Sequence, residues 1–282
     1  MGAELLEGAN PYAAKVHWDT LHSSTCRRVS ACAPYWSANR KAGGDVKYDY
    51  STYGAFKSAT SLRPGANIIR AARRLGLRNR YLRFLSHVRR DKKVVEVGCG
   101  DGSFLRTMME AGFSDVIGVE PSESYSAVVD RALIVTGFAE EYLTRCQSDS
   151  LAAIVALDVF EHVERTKLRE LIILCHSRLI SGGSIVFRIP NMASPLALLN
   201  FYGDLSHVCP MNQNSVSQIL FGTGFKNVSF HPEPFCYPRS IASAVGILLW
   251  PFTKAVMASA LAAFGVRKTI LTPNLVCVVV KD

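Results

Sequence analysis

A chain of 282 residues with 49% hydrophobic content buries one substantial core and some added structure, which excludes a disordered or fibrous protein. Its eight cysteines form no C-x-x-C pair and no Cys/His cluster at zinc spacing, so they read as reduced thiols of a cytoplasmic protein. The formal charge of +9 is local: between Arg63 and Lys93, eleven Lys/Arg face the single Asp91, and the remainder is close to neutral.

Glu4 and Glu7 stand where an export signal requires positive charge, and position 6 is Leu where a myristoylation signal requires a hydroxyl; neither signal is expected. Residues 1–62 are aromatic-rich without clear periodicity, from Tyr12 and Trp18 to Tyr53 and Phe56. Such a segment forms either a lid over an acceptor pocket or packing on the flank of a core. From Arg63 to Arg90 the pattern turns helical, with Pro64 at the start and Ile68, Ile69, Ala72 and Leu75 on one face. The Arg residues between them make a solvated basic face, or one attracted to an anionic membrane surface or an anionic substrate.

Lys92-Lys-Val-Val-Glu-Val-Gly-Cys-Gly-Asp-Gly-Ser103 then combines a short apolar strand, a turn with glycines at alternate positions and the start of a helix. Such a turn brings bare backbone against a ligand. Beyond it strand and helix alternate, which predicts a parallel sheet with crossover helices. Strands are predicted at 94–97, 116–120, 134–136, 152–157, 184–189, 227–230 and 275–281, and helices near 103–111, 122–130, 139–146, 164–179 and 214–222.

A dinucleotide fingerprint is G-x-G-x-x-G, and here Ser103 fills its third glycine slot; no Gly-Lys-Ser/Thr follows to make a Walker loop. The stretch resembles motif I of the class I S-adenosylmethionine methyltransferases, E/D-x-G-x-G-x-G, with Glu96 in the acidic slot. The resemblance covers roughly residues 60–282 and its motifs are densest at 92–190. It implies an α/β, Rossmann-like seven-stranded methyltransferase sheet whose last strand is antiparallel, with S-adenosylmethionine as cofactor. Residues 1–62 form an N-terminal helical or lid extension and 63–282 the methyltransferase domain, with an apolar insertion at 241–266.

The resemblance implies cofactor contacts from Glu96, Gly98, Cys99 and Gly100. Glu120 ends the second strand ahead of Pro121, where a carboxylate accepts from both ribose hydroxyls. Gly137-Phe-Ala-Glu140 falls where the family shows G-D-A-E beside the adenine. Phe138 departs from that pattern and packs on the ring, leaving the backbone of Ala139 for the polar contact. Leu157 and Asp158 close the fourth strand over the same pocket.

Asp158-Val-Phe-Glu-His162 corresponds to an E-x-x-E-H set that holds a divalent metal in parts of the ubiquinone- and sugar-modifying branch. The spacing places all three side chains on one helical face. Two carboxylates and an imidazole also suit an ordinary polar pocket, and no residue is assigned as a metal ligand. Tyr202-Gly-Asp-Leu-Ser-His207 and the Gly224-Phe225 turn resemble the G-D-x-T-H and GF segments of methyltransferases acting on sugars and related hydroxylated molecules. His207 or His162 is expected as general base, with His207 favoured on its loop, and Asp204 or Glu161 as the orienting group.

Ile241 to Val266 is apolar apart from Lys254. Its length suits a transmembrane helix. Because the flanking strands belong to one sheet, two short helices hinged at Trp250-Pro251 are expected instead, capping the core or dipping into a bilayer interface. The expected acceptor is a hydroxyl of a small molecule, a sugar or a lipid-linked glycan. The alternatives are an RNA or other nucleic-acid methyltransferase, a nicotinamide oxidoreductase and a non-catalytic cofactor-binding scaffold. Nucleic acid is disfavoured because Asp158-Val-Phe-Glu161 replaces an Asn/Asp-Pro-Pro-Tyr turn, and Cys209-Pro210 reverses a Pro-Cys nucleophile.

Overall fold

A computed structural model describes residues 76, 80–123, 129–233, 241–266 and 269–282. The expected lid at 1–62, most of the basic stretch at 63–90 and the centre of the expected helix at 122–130 lie outside the described residues.

Seven strands form one mixed sheet in the order β3-β2-β1-β4-β5-β7-β6. They are β1 Val94–Val97, β2 Val116–Glu120, β3 Ile134–Thr136, β4 Leu151–Leu157, β5 Leu179–Pro190, β6 Asn227–Pro232 and β7 Asn274–Val280. The first five run parallel, and β7 is antiparallel to both of its neighbours, β5 and β6. The fully described α-helices are α1 Ser103–Glu110, α2 Ala139–Arg145, α3 Arg165–Arg178, α4 Ala197–Phe201, α5 Gln213–Leu220 and α6 Ile241–Ala263.

The alternation of β7 shows why the sheet has two covered faces. Leu275, Cys277 and Val279 enter one core with Phe160, Leu171 and Ile185, while Val276 and Val278 enter the other with Tyr81, Leu105 and Val155. The chain runs outward from β1 to β3 and then crosses back to β4. That reversal opens a crevice at the carboxyl ends of β1 and β4, the place where open α/β sheets bind ligands.

Two expectations need correction. The fifth strand begins at Leu179: it pairs with β4 at Leu151, bulges over residues 180–183, and rejoins with Ser184 opposite Ala153. The expected break at Trp250-Pro251 does not occur, since α6 is one helix of 23 residues with Pro251 inside it. A proline inside a helix removes one backbone hydrogen bond and can be accommodated by a bend, and the Ala- and Leu-containing runs on either side both favour helix.

Candidate functional site

The first half of the site is the turn after β1. Gly98 and Gly100 have φ of +66° and +54°, a left-handed region open to glycine at no steric cost. A Cβ at Gly98 would lie 2.4 Å from Val159, so its bareness lets the β1 and β4 ends close together. A Cβ at Gly100 would meet nothing within 4 Å: the turn faces open space. The amides of Gly98 and Cys99 donate to the carbonyl of Val119 at 2.7 and 3.2 Å, which fixes the turn to β2.

Glu120 is buried beside it. One carboxylate oxygen accepts from the Gly100 amide at 2.9 Å and the other from the Ser122 amide at 3.0 Å. Burial pushes its carboxyl above the usual range, against the pull of those two bonds. Each oxygen keeps a lone pair for a further donor. The Gly137 amide donates to the Glu120 carbonyl at 3.1 Å, bringing Phe138 and Ala139, at the start of α2, to the same edge; the Phe138 ring is 45% exposed.

The Cys99 side chain turns the other way. It is buried over Gly118, where a Cβ would stand 2.5 Å from its sulfur, so only its backbone belongs to the turn. Burial raises its thiol pKa far above the ordinary value. Glu96 is buried within β1, and Pro121 and Leu157 are half-buried at their strand ends.

The second half follows β4. Asp158 takes φ of +59°, which Asp tolerates, and Phe160–His162 forms a single 3-10 turn. The amides of Val208 and Cys209 both donate to the Glu161 carbonyl, at 2.8 and 3.0 Å, drawing the 204–209 loop onto that turn. The His162 and His207 rings meet edge to face with centroids 4.7 Å apart.

Hydrogen bonds assign both tautomers. His207 Nδ1 lies 2.9 Å from the Phe201 carbonyl, which only accepts, so Nδ1 carries the proton. Ser206 Oγ donates its one proton to Asp204 at 2.5 Å and therefore accepts from His162 Nδ1 at 2.9 Å. In the neutral form of each imidazole, Nε2 is then the nitrogen without a proton. The Nε2 of His207 stands 4.0 Å from the buried carboxylate of Glu161.

One ligand atom each from Glu161, His162 and His207 falls within a 4.8 Å group, a two-imidazole, one-carboxylate donor set of the kind that divalent transition ions accept. The expected Asp158-Glu161-His162 face is corrected here. The αL turn sends Asp158 away to Arg188, whose Nε donates to it at 2.5 Å, and His207 completes the trio from another loop.

Sequence reasoning missed Arg188, Tyr81, Glu233 and Ser206. Arg188 pairs with Asp158 and, at 3.1 Å, with Glu233; Tyr81 bonds both Arg188 and Glu233, and Asn274 donates to Glu233 at 2.7 Å. Burial acts to raise the Glu233 carboxyl pKa, but Arg188, Tyr81 and Asn274 hold it below the ordinary value. The signal was an arginine inside an otherwise apolar strand, which requires a buried acid. The GF turn proves to be packing: a Cβ at Gly224 would lie 2.7 Å from the His176 ring, and Phe225 stacks edge-on at 4.8 Å.

A 3-2-1-4-5-7-6 sheet with a bare glycine turn after β1 and a pinned glutamate ending β2 defines the class I S-adenosylmethionine-dependent methyltransferases. The residues fit the cofactor: open space before Gly100 takes a nucleoside without phosphate, and Glu120 offers acceptors for its ribose.

The chain belongs to the methyltransferase domain family, whose model matches residues 69–230. A search of curated proteins returned no match. Among solved structures, the chain is similar to a SAM-dependent methyltransferase from Archaeoglobus fulgidus, 24% identical with a TM-score of 0.57 over 74% of this chain and 94% of that one. It is similar to a possible histamine N-methyltransferase from Thermotoga maritima, 14% identical with a TM-score of 0.53, over 82% and 98%. It also resembles magnesium protoporphyrin IX methyltransferase from Synechocystis, solved with S-adenosylhomocysteine, 13% identical with a TM-score of 0.50, over 83% and 98%. At these identities the likeness shows the fold, and S-adenosylmethionine is the cofactor that goes with it.

Proposed function

We propose that this protein transfers the methyl group of S-adenosylmethionine to a hydroxyl oxygen of a small-molecule, sugar or lipid-linked glycan acceptor, with His207 as general base. The observation that supports the reading is the pair of imidazoles after β4, each with Nδ1 engaged, and His207 Nε2 standing 4.0 Å from buried Glu161. When bound, the cofactor supplies a methyl on a sulfonium, an electrophile already activated. The backbone of Gly98 to Gly100, with Glu120 on the ribose hydroxyls, holds the nucleoside. Phe138 lies against the adenine beside the Ala139 amide, with Leu157 on the wall.

His207 Nε2 would accept the proton of the acceptor hydroxyl as the methyl leaves sulfur for that oxygen and S-adenosylhomocysteine remains, and Glu161 would stabilise the imidazolium formed. His162, held by Ser206 and Asp204, is the second acceptor and positions the hydroxyl. An amine attacks from its neutral form without a base, whereas a hydroxyl must lose a proton, so a built base favours oxygen.

The test is a radiolabelled methyl-transfer screen across glycan, phenolic and RNA fractions, run with wild type and His207→Asn. Label entering the hydroxylated fractions, and lost in the variant while S-adenosylhomocysteine still binds, is expected. Label confined to RNA, or full activity in the variant, refutes the reading.

A further inference from the structure

The insertion between β6 and β7 is placed by topology. Because β7 is antiparallel to its neighbours, β6 ends and β7 begins at the carboxyl end of the parallel strands, where Glu120 and His207 lie. The insertion therefore leaves and rejoins the sheet on the rim of the site.

Its centre, α6, presents a large apolar stripe to the outside. Val245, Leu248, Leu249, Phe252 and Val256 are 46%, 79%, 54%, 72% and 54% exposed, and their i, i+3, i+4, i+7, i+11 spacing puts them on one face. Ile247, Trp250, Met257 and Leu261, on the opposite face, are half-buried. A soluble helix shows the reverse pattern. Val245–Ala263 is long and apolar enough to cross a membrane, with a hydropathy of 1.5.

A crossing is nonetheless forbidden. β6 and β7 belong to one sheet, so residues 264–273 would have to carry the chain back through hydrocarbon from the far end of α6, and ten residues are too few for a second spanning helix. The stripe lies on a membrane or does not meet one.

Charge selects the surface. Between β6 and β7, residues 234–273 contain four Lys/Arg and no acidic residue, so an anionic surface attracts this stretch and nothing in it repels one. α4, whose Asn200 contacts Asn274 at the start of β7, and the loop after it expose further apolar side chains at this end of the sheet: Leu199, Tyr202, Leu205 and Val208 are 80%, 71%, 90% and 53% exposed.

We infer that α6 lies in the interface of an anionic bilayer and holds the site against it, and that the acceptor is a hydroxylated molecule with an apolar anchor in that bilayer. The choice of acceptor rests on the methyl-transfer reading; the docking does not.

The experiment is flotation of the full chain with vesicles of phosphatidylcholine alone and of phosphatidylcholine with phosphatidylglycerol. The comparison is with the triple variant L248E, F252E, V256E, whose positions are all exposed. Wild type floats with the anionic vesicles and more weakly with the neutral ones, and the variant partitions at least about 100-fold less. Unchanged S-adenosylhomocysteine binding in the variant shows that it is folded. Three results overturn the docking: wild type that does not float, a variant that floats equally, or a wild-type dimer that the variant splits while neither floats. Wild type that floats but binds no S-adenosylhomocysteine overturns the methyl-transfer reading and leaves the docking standing.

Discussion

Gly100→Ala separates a cofactor cradle from an ordinary tight turn, because the structure contains its own control. Gly100 and Gly182 have φ of +54° and +75°, and a Cβ at either would meet nothing within 4 Å. Alanine at each site therefore carries the same left-handed penalty, about 1–2 kcal/mol, and no clash. For a domain of this size that lowers Tm by about 2–8 °C in either variant. The two glycines differ in what they face. Gly182 sits on the bulge at the start of β5, far from the site, while Gly100 sits where the nucleoside lies against the backbone. A methyl forced into filled space costs about 1–3 kcal/mol, so affinity for S-adenosylhomocysteine falls about 5- to 150-fold in Gly100→Ala and stays unchanged in Gly182→Ala. Thermal melts and titration calorimetry on both variants are the assay. Wild-type affinity in Gly100→Ala, or equal losses in the two, refutes the cradle.

The raised pKa of Glu120 makes cofactor binding pH-dependent. Only the ionised carboxylate accepts from both ribose hydroxyls, so calorimetry should show affinity falling as pH drops through a window above the ordinary carboxylate value, with proton release on binding inside it. Without ligand the sign for stability is opposite, since this group's contribution declines as pH rises through that window; Glu120→Gln removes both effects. His207→Asn should lower kcat about 100- to 10,000-fold with little change in S-adenosylhomocysteine affinity, measured by single-turnover methyl transfer. Glu233, 6% exposed, has its pKa depressed by the groups around it, so its stabilisation holds at neutral pH and is lost as pH falls through its folded pKa. Glu233→Gln should cost about 3–5 kcal/mol at pH 7 and flatten the acid limb of the melting profile, and an unchanged Tm refutes that role.

The sheet was legible because its signals are local. Three of the seven strand ends at the cofactor side are marked by residues that favour a turn: Gly98 after β1, Pro121 after β2 and Gly137 after β3. Glu120 was legible for the same reason, as an acid at the end of an apolar strand. The paired histidines were named separately, but their contact was not, because 44 residues separate Ser206 from His162 and only the Glu161 carbonyl shows how the loop returns. Helical spacing misled at Asp158: i, i+3, i+4 shares a face only if the backbone is α-helical, and an αL residue at the first position sends that side chain elsewhere. Periodicity also could not locate the partners of Arg188, Tyr81, Asp158 and Glu233, which come from three separate parts of the chain.

Those partners explain how the two halves of the site keep their relation. Arg188 anchors Asp158, and the turn that Asp158 begins carries Val159 against the bare face of Gly98. Two residues further, Glu161 uses its carbonyl to hold the His207 loop and its carboxylate to face the His207 ring. The cofactor turn and the base are therefore fixed to opposite sides of one short segment, 158–162, which is itself clamped from beneath by a charge network. Moving the base relative to the cradle requires breaking either that network or the packing of Val159 on Gly98, and methyl transfer, which depends on in-line placement of oxygen and carbon, gains most from this kind of rigidity.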